Sequence, residues 1–123
     1  MEQAVAAHIL VVDDELAVRR VVGDLLGRLG YLPTCVDGAA EALLACTRQS
    51  FRLALVDLSM PGVSGAELVA RLRERYSGLP IVVMTGLDRI TAQAQLGLGD
   101  SPPVLRKPFS LSELGAVVES LIA

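Results

Sequence analysis

The chain has 123 residues, a mass of 13.0 kDa, a formal net charge of −3 at pH 7 and a mean hydropathy of +0.51. This length fits one domain that buries roughly two thirds of its unfolded surface, and the acidic balance argues against direct binding to nucleic acid. No apolar run approaches the ~18 residues of a membrane span, and the N-terminal MEQAVAAHILVVDDE lacks the basic region of a signal peptide. We therefore expect one cytoplasmic domain over residues 1–123, with its core at about 8–122 and no membrane contact.

Five short apolar runs predict five β-strands. They are HILVV (8–12), LPTCV (32–36), LALV (53–56), PIVVM (80–84) and PVLR (103–106). Three of the runs are unbroken, as expected for strands of a parallel sheet that is covered on both faces. Pro33 places the second strand at an edge, because proline cannot donate to a central ladder. The predicted fold class is α/β, with a doubly wound five-stranded parallel sheet in the flavodoxin-like order 2-1-3-4-5 and helices on both faces.

Helical patterns alternate with these strands. Apolar residues recur at spacings of three and four over 18–29, which predicts an amphipathic helix that ends at Gly30. Capping boxes of the form Ser-x-x-Glu predict the first turns of two further helices, at 64–67 and 110–113. The segment 88–98 has a thin apolar stripe interrupted by glycines, so we expect the least stable helix there.

Polar side chains follow four of the five predicted strands. They are Asp13 and Asp14 after the first, Asp57 after the third, Thr85 after the fourth and Lys107 after the fifth. Any one of them alone could be a helix cap or a solvated loop residue. Because the carboxyl ends of parallel strands meet at one edge of the sheet, we expect all of them to converge on a single crevice.

The chemistry of this cluster favours magnesium. Three carboxylates within ~5 Å repel by a few kcal/mol per pair at an effective dielectric of ~20, which a divalent cation can offset and one lysine cannot. Oxygen ligands favour magnesium over zinc. Cys35 and Cys46 have neither metal-ligand nor redox-motif spacing, and we expect buried, reduced thiols.

A site of this composition can carry a phosphoryl group on a carboxylate. Three aspartates and one lysine sum to −2, which magnesium neutralises, and converting Asp57 to an acyl phosphate adds about one negative charge. In this hypothesis Asp57 is the nucleophile, while the metal and Lys107 neutralise the phosphoryl oxygens.

Four motifs follow the predicted strands in order. They are VVDDE (11–15), LVDLSMPGVSG (55–65), VVMTG (82–86) and LRKPF (105–109). In this order and spacing they resemble the response-regulator receiver domain of bacterial two-component signalling, over nearly the whole chain. The resemblance implies that Asp57 is the phosphoacceptor. It also implies an Mg²⁺ site formed by Asp13, Asp14, Asp57 and the backbone carbonyl of Ser59.

The resemblance assigns the remaining polar groups as well. Lys107 would contact the phosphate, Thr85 would move its hydroxyl onto the phosphoryl group, and the peptide bond between Lys107 and Pro108 would be cis. The implied phosphoryl donor is a histidine kinase or a histidine phosphotransfer domain. We expect a monomer or weak dimer that catalyses only its own phosphorylation and dephosphorylation. The stretches VVDDELAVRRVVGDLLGRLGY (11–31) and LRKPFSLSEL (105–114) are similar to those of receivers fused behind sensor histidine kinases, which favours an origin in a hybrid histidine kinase.

Three positions depart from the family pattern. Val104 stands where receivers usually carry a Tyr or Phe that swings inward with the threonine, so we expect a muted conformational response to phosphorylation. Ser59 and Leu87 lie two residues after the predicted phosphoacceptor and the threonine, and neither is an acid or a carboxamide. They offer little to orient an attacking water, so we expect slow loss of the phosphoryl group.

Two other functions stay open on the sequence alone. An aspartate-dependent phosphohydrolase would need a second carboxylate two residues after its nucleophile, where Ser59 stands. A flavodoxin-like binding module with a vestigial acidic cluster is the other alternative, and the complete set of five polar groups argues against decay. Binding of magnesium with a beryllofluoride phosphate mimic would separate the receiver from the vestigial module.

Overall fold

The computed structural model describes residues 6–60, 62–97 and 102–122, and within these ranges five strands alternate with five helices. The elements are β1 (His8–Val12), α1 (Leu16–Arg28), β2 (Leu32–Val36), α2 (Ala39–Arg48), β3 (Leu53–Asp57), α3 (Gly65–Arg75), β4 (Ile81–Thr85), α4 (Arg89–Leu96), β5 (Val104–Arg106) and α5 (Leu111–Ile122). The five predicted strands are confirmed to within one residue at each end. No helix within the described ranges is long and apolar enough to cross a membrane.

The strands form one parallel sheet in the order β2-β1-β3-β4-β5. This confirms the predicted topology and the edge position of the strand that contains Pro33. Val12 pairs with Val56 in register near the ends of β1 and β3, and Thr85 pairs with Arg106 at the ends of β4 and β5. The residues that follow these strands are therefore delivered to the same edge of the sheet.

Helices cover both faces of the sheet, because consecutive strand residues point to opposite sides. On one face, Val11 of β1 belongs to the same buried cluster as Leu26 of α1 and Leu114 of α5. On the other face, Val12 shares a cluster with Leu68 of α3, together with residues of α2 and α4. All five side chains are fully buried, so the sheet edge that carries the polar groups rests on a packed core on each side.

The predicted capping boxes are present at the starts of α3 and α5. Ser64 Oγ accepts a hydrogen bond from the Glu67 N–H at 3.1 Å. In α5 both bonds of the box form, since Ser110 Oγ accepts from the Glu113 N–H at 3.1 Å and Glu113 Oε1 accepts from the Ser110 N–H at 3.2 Å. Gly30, with φ at 91°, follows the end of α1 as predicted.

The helix α4 is the shortest of the five, with 8 residues. Within it Ala92 is fully buried, whereas Ile90 is 81% exposed. Its start is well capped, because the Asp88 carboxylate accepts hydrogen bonds from both the N–H and the hydroxyl of Thr91 at 2.9 Å. The segment predicted to be the least stable helix is thus a short helix with a capped N-terminus; its lower stability stays a prediction, and its predicted end at residue 98 lies outside the described residues.

Both cysteines are free thiols. Cys46 is half-buried, but Cys35 is exposed, so the prediction of two buried thiols is wrong for Cys35. The reason is its place on β2, an edge strand of the sheet, where a residue has a neighbouring strand on one side only.

Candidate functional site

Asp57 ends β3, a strand in which all five residues are buried, and it is itself 3% exposed. Its Oδ1 accepts a hydrogen bond from the Ser59 N–H at 3.2 Å and lies 3.4 Å from Lys107 Nζ. Burial raises the pKa of Asp57 to about 6; Lys107 and the Ser59 N–H oppose this effect, and the charge of Asp13 adds to it. A buried carboxyl group with a pKa raised in this way is typical of a functional site.

Asp13 follows β1 and is fully buried, with each carboxylate oxygen engaged. Its Oδ2 accepts a hydrogen bond from Lys107 Nζ at 2.8 Å, and its Oδ1 accepts one from the Glu15 N–H at 2.9 Å. Its main-chain N–H donates to the Val36 carbonyl at 3.1 Å, which extends the pairing of β1 with β2 by one residue. The orientation of this carboxylate is therefore fixed by two hydrogen bonds, and its backbone is held by a third.

Asp14 completes an acidic cluster with Asp13 and Asp57. One carboxylate oxygen from each residue lies within 4.8 Å of the others, although Asp14 is exposed while its two partners are buried. The structure thus brings together the three carboxylates that the sequence placed at the ends of β1 and β3. At this separation the like charges repel, and a cation bound between them would be strongly favoured.

Lys107 follows β5 and is the cation of the cluster, with 20% of its side chain exposed. Burial lowers its pKa, but the hydrogen bond to Asp13 and the charges of Asp57 and Asp13 outweigh that effect, so the pKa of Lys107 is raised and the ammonium stays protonated. Lys107 lies closer to Asp13 than to Asp57, and its charge lowers the pKa of Asp57 without offsetting the effect of burial. The peptide bond to Pro108 is cis, which confirms the expectation from the family resemblance.

Thr85 brings a hydroxyl to the same edge from the end of β4. It is 1% exposed, and its Oγ1 accepts a hydrogen bond from the Leu87 N–H at 3.0 Å. Its main-chain carbonyl accepts from the Lys107 N–H at 2.7 Å, so the loops after β4 and β5 are joined directly beside the site. Ser59 is exposed and contributes its N–H to Asp57, while the ligand role of its carbonyl stays a prediction.

A sequence profile of the response regulator receiver domain matches residues 9–119, which include every member of this cluster. The chain belongs to the response regulator receiver domain family. Receiver domains of response regulators are signalling modules that histidine kinases phosphorylate, and they bind Mg²⁺ at an acidic pocket.

Curated relatives of this receiver domain are longer transcriptional regulators. The transcriptional regulatory protein FixJ of Bradyrhizobium diazoefficiens is 35% identical over 115 residues, which cover 94% of this chain and 56% of FixJ. The DNA-binding transcriptional regulator NtrC of Escherichia coli K12 is 34% identical over 116 residues, which cover 92% of this chain and 24% of NtrC. The chain therefore spans between about a quarter and just over half of the length of these relatives.

Solved structures of receiver domains share the fold. The chemotaxis protein CheY4 of Vibrio cholerae superimposes with a TM-score of 0.86 at 25% identity, covering 95% of this chain and 99% of CheY4. The response regulator TrrA of Thermotoga maritima, solved in complex with Mg(2+)-BeF, superimposes with a TM-score of 0.83 at 28% identity, covering 94% of this chain and 98% of TrrA.

Within the part of the chain that the structure describes, nothing favours the two alternative functions. Ser59, an exposed hydroxyl residue, occupies the position where an aspartate-dependent phosphohydrolase would need its second carboxylate. The acidic cluster is complete, and its lysine is in contact with two of the carboxylates, unlike a vestigial site.

Gly65 is a residue of the site that the sequence reasoning missed. A Cβ at this position would collide with the main-chain carbonyl of Asp57 and would lie 2.6 Å from the Cα of Leu58. The Gly65 N–H donates to the Leu58 carbonyl at 3.2 Å, so the start of α3 rests directly on the end of β3. A glycine directly after the serine of a capping box is the only signal in the sequence for this close approach.

Two of the three positions that depart from the family pattern, Val104 and Leu87, lie on the Thr85 side of the site. Val104 and Leu87 are both half-buried and pack against the cluster beneath α2, α3 and α4. Leu87 therefore presents an aliphatic side chain next to the amide that holds the Thr85 hydroxyl.

Proposed function

We propose that Asp57 of this receiver domain accepts a phosphoryl group from a histidine kinase or a histidine phosphotransfer domain, with Mg²⁺ as the cofactor. The observation that carries the proposal is the convergence of three carboxylates within 4.8 Å beside the ammonium group of Lys107. This arrangement gives a buried nucleophile, a cation next to it and the ligands for a second cation.

The donor set fits magnesium. The cluster holds three carboxylates and one lysine, so it keeps an excess of two negative charges, and its donors are all oxygens. Asp13, Asp14 and Asp57 would hold the ion together with the backbone carbonyl of Ser59. The ion would supply positive charge for the phosphoryl oxygens. The TrrA structure in complex with Mg(2+)-BeF supports this assignment by analogy.

The groups around Asp57 suit phosphoryl transfer. A carboxylate oxygen of Asp57 forms the new bond to phosphorus while the bond from phosphorus to the donor's histidine nitrogen breaks, and the imidazole keeps that electron pair. Since the pKa of Asp57 is about 6, the ionised nucleophile predominates at neutral pH. Lys107 then donates to one phosphoryl oxygen, and the hydroxyl of Thr85 turns from the Leu87 N–H to another.

The proposal extends to the role of the chain as a whole. The domain acts as a signalling module over residues 1–123 and catalyses only its own phosphorylation and dephosphorylation. A net charge of −3 argues against direct contact with nucleic acid or anionic membranes, while a cytoplasmic location and a monomeric or weakly dimeric state stay predictions. An origin in a hybrid histidine kinase stays a prediction from the motifs.

Replacing the phosphoacceptor tests this function. Intact-protein mass spectrometry after incubation with acetyl phosphate and Mg²⁺ should show one added phosphoryl group on the wild type and none on Asp57→Asn. Asp24→Asn is the matched control, because Asp24 is exposed on α1 and pairs with Arg28 at 3.1 Å. Full phosphorylation of Asp57→Asn, or no phosphorylation of the wild type in Mg²⁺, would contradict the proposal.

A further inference from the structure

Arg19 contacts the acidic cluster through the main chain rather than through a carboxylate. Its guanidinium Nη1 donates to the main-chain carbonyl of Asp13 at 2.8 Å. Arg19 lies near the start of α1, where its own N–H donates to the Glu15 carbonyl at 3.1 Å, and its side chain is half-buried. Helical side chains point toward the N-terminus of their helix, so this position can reach back over the loop between β1 and α1. By its spacing in the sequence, Arg19 is only a member of the polar face of the helix.

The carbonyl that Arg19 holds belongs to the peptide unit between Asp13 and Asp14. A peptide unit is planar, so fixing its oxygen fixes the orientation of the whole plane. That orientation sets the backbone torsions on either side of it, and hence the direction in which the Cα–Cβ bond of Asp14 leaves the chain.

The two aspartates depend on this peptide to different degrees. The Asp13 carboxylate is anchored by its own contacts with Lys107 and with the Glu15 N–H. For Asp14 no hydrogen bond or ion pair to the carboxylate is found among residues 6–60, 62–97 and 102–122, and the side chain is exposed. The direction of the Asp14 carboxylate is therefore controlled by the backbone that Arg19 holds.

We propose that Arg19 is a positioning residue for Mg²⁺ binding: by holding the Asp13 carbonyl, it aims the Asp14 carboxylate at the ion. The inference rests on the proposed magnesium site. Groups that orient metal ligands from outside the ligand set typically contribute 10–100-fold in metal affinity. We expect the lower end of that range, about tenfold, because Arg19 orients one of the ligands and leaves the others in place.

The sign of the effect separates positioning from simple electrostatics. Arginine is a cation, so if Arg19 acted only through its charge, removing it would strengthen the binding of Mg²⁺ to the acidic cluster. If Arg19 positions Asp14, removing it weakens binding. Arg20 is the matched control, since it is the next residue on the same helix, carries the same charge and is exposed.

The experiment is a Mg²⁺ titration of ¹⁵N-labelled protein, followed through the amide resonances of Ser59 and Glu15, for the wild type, Arg19→Met, Arg19→Lys and Arg20→Met. Arg19→Met should raise the dissociation constant for Mg²⁺ about tenfold. Arg20→Met should leave it unchanged or lower it slightly. Arg19→Lys keeps a donor on a long side chain and should fall between the wild type and Arg19→Met.

Unfolding in metal-free buffer gives the second measurement. If Arg19→Met lowers the unfolding midpoint in chelator while its Mg²⁺ dissociation constant equals that of the wild type, Arg19 only stabilises the loop and the inference fails. Tighter Mg²⁺ binding by Arg19→Met would overturn it in favour of electrostatics. Asp14→Asn distinguishes failure of the positioning role from failure of the site: if the wild type does not bind Mg²⁺, or Asp14→Asn binds it as well as the wild type does, the proposed magnesium site itself is wrong.

Discussion

The site has an acidic half, made of Asp13, Asp14, Asp57 and Lys107, and a threonine half, made of Thr85, Leu87, Val104 and α4. In the acidic half one ammonium group links two buried carboxylates, at 2.8 and 3.4 Å. In the threonine half the buried hydroxyl is held by a single amide at 3.0 Å. The helices beside the two halves also differ in length: α1, beside the acidic half, has 13 residues, and α4, in the threonine half, has 8.

The difference indicates that different residues of this receiver domain serve phosphoryl transfer and the conformational response to it. The acidic half contains the proposed nucleophile and the proposed metal ligands, of which Asp13 and Asp57 are buried at strand ends and in contact with Lys107. The threonine half keeps the hydroxyl but has Val104 and Leu87 as its aliphatic neighbours in the core cluster. Changes in the acidic half should therefore affect the uptake of phosphate, and changes in the threonine half should affect the conformational response to it.

The largest expected effect is a loss of unfolding free energy on substitution of Gly65, where the start of α3 rests on the end of β3. Gly65→Ala places a Cβ against the Asp57 carbonyl and the Leu58 backbone, which must move. Overpacking of this kind costs about 3 kcal/mol or more of unfolding free energy, even though alanine is a better helix former. Urea unfolding measures the change.

Gly27→Ala is the matched control, because Gly27 lies inside α1 with nothing within 4 Å of its added Cβ. It should stabilise the protein by up to about 1 kcal/mol. Equal and favourable changes at both glycines would mean that the end of β3 tolerates a side chain from α3.

The raised pKa of Asp57 predicts a pH dependence that is specific to the acidic half. The folded-state pKa of about 6 lies above the ordinary value of 3.8, so the stability that the neutral carboxyl contributes is complete below pH 3.8 and is lost as the pH rises through about 6. In buffer with chelator, the wild type should lose about 3 kcal/mol relative to Asp57→Asn over this window. Unfolding free energies measured across the pH range test this, with Asp24→Asn expected to follow the wild type. A constant difference between the wild type and Asp57→Asn would show that folding does not raise the pKa of Asp57.

The regular part of the acidic half could be predicted from the sequence, because it follows from the geometry of parallel strands. Apolar runs located β1, β3 and β5 to within a residue, and the polar residues after them had to share an edge. The edge position of β2 followed from Pro33, because proline cannot donate a hydrogen bond to a central ladder. The helix starts at Ser64 and Ser110 followed from a local hydrogen-bond pattern.

What the sequence could not predict depends on how elements approach each other in space. The need for glycine at position 65 arises only because α3 rests on the backbone of Asp57 and Leu58. Arg19 belongs to the polar face of α1 by its spacing, and only the path of the loop before the helix turns it toward the Asp13 carbonyl. Cys35 looked buried by residue type, but its edge strand leaves it exposed.

The lifetime of the phosphoryl group on Asp57 tests Ser59 and Leu87, which belong to the acidic and the threonine side of the site. Hydrolysis needs a water in line with the acyl-phosphate bond, and the candidates to hold it are exposed Ser59 and aliphatic Leu87. We expect slow decay for the wild type and a roughly tenfold faster rate when Ser59→Asn and Leu87→Glu are combined, because polar side chains would then hold the water. The measurement is loss of phosphate from purified phosphoprotein in Mg²⁺ after removal of the donor, with Ser59→Ala as a variant that should leave the rate unchanged. A fast wild type, or a double variant that decays no faster, would show that these side chains do not control the reaction.

The smallest expected effect is the response of the threonine half to phosphorylation. Val104 is half-buried in the cluster beneath α4 and has no ring that could follow the Thr85 hydroxyl in its proposed turn toward the phosphoryl group. With Mg²⁺ and beryllofluoride bound, hydrogen exchange should therefore slow at residues 57–59 but change little along α4 and β5. Val104→Tyr adds the ring and should enlarge the change in α4, whereas Val104→Ile adds volume without a ring and should behave as the wild type does. A large exchange response along α4 in the wild type would mean that the hydroxyl and the Leu87 amide transmit the signal without an aromatic partner, and the two halves would then be coupled more closely than their contacts indicate.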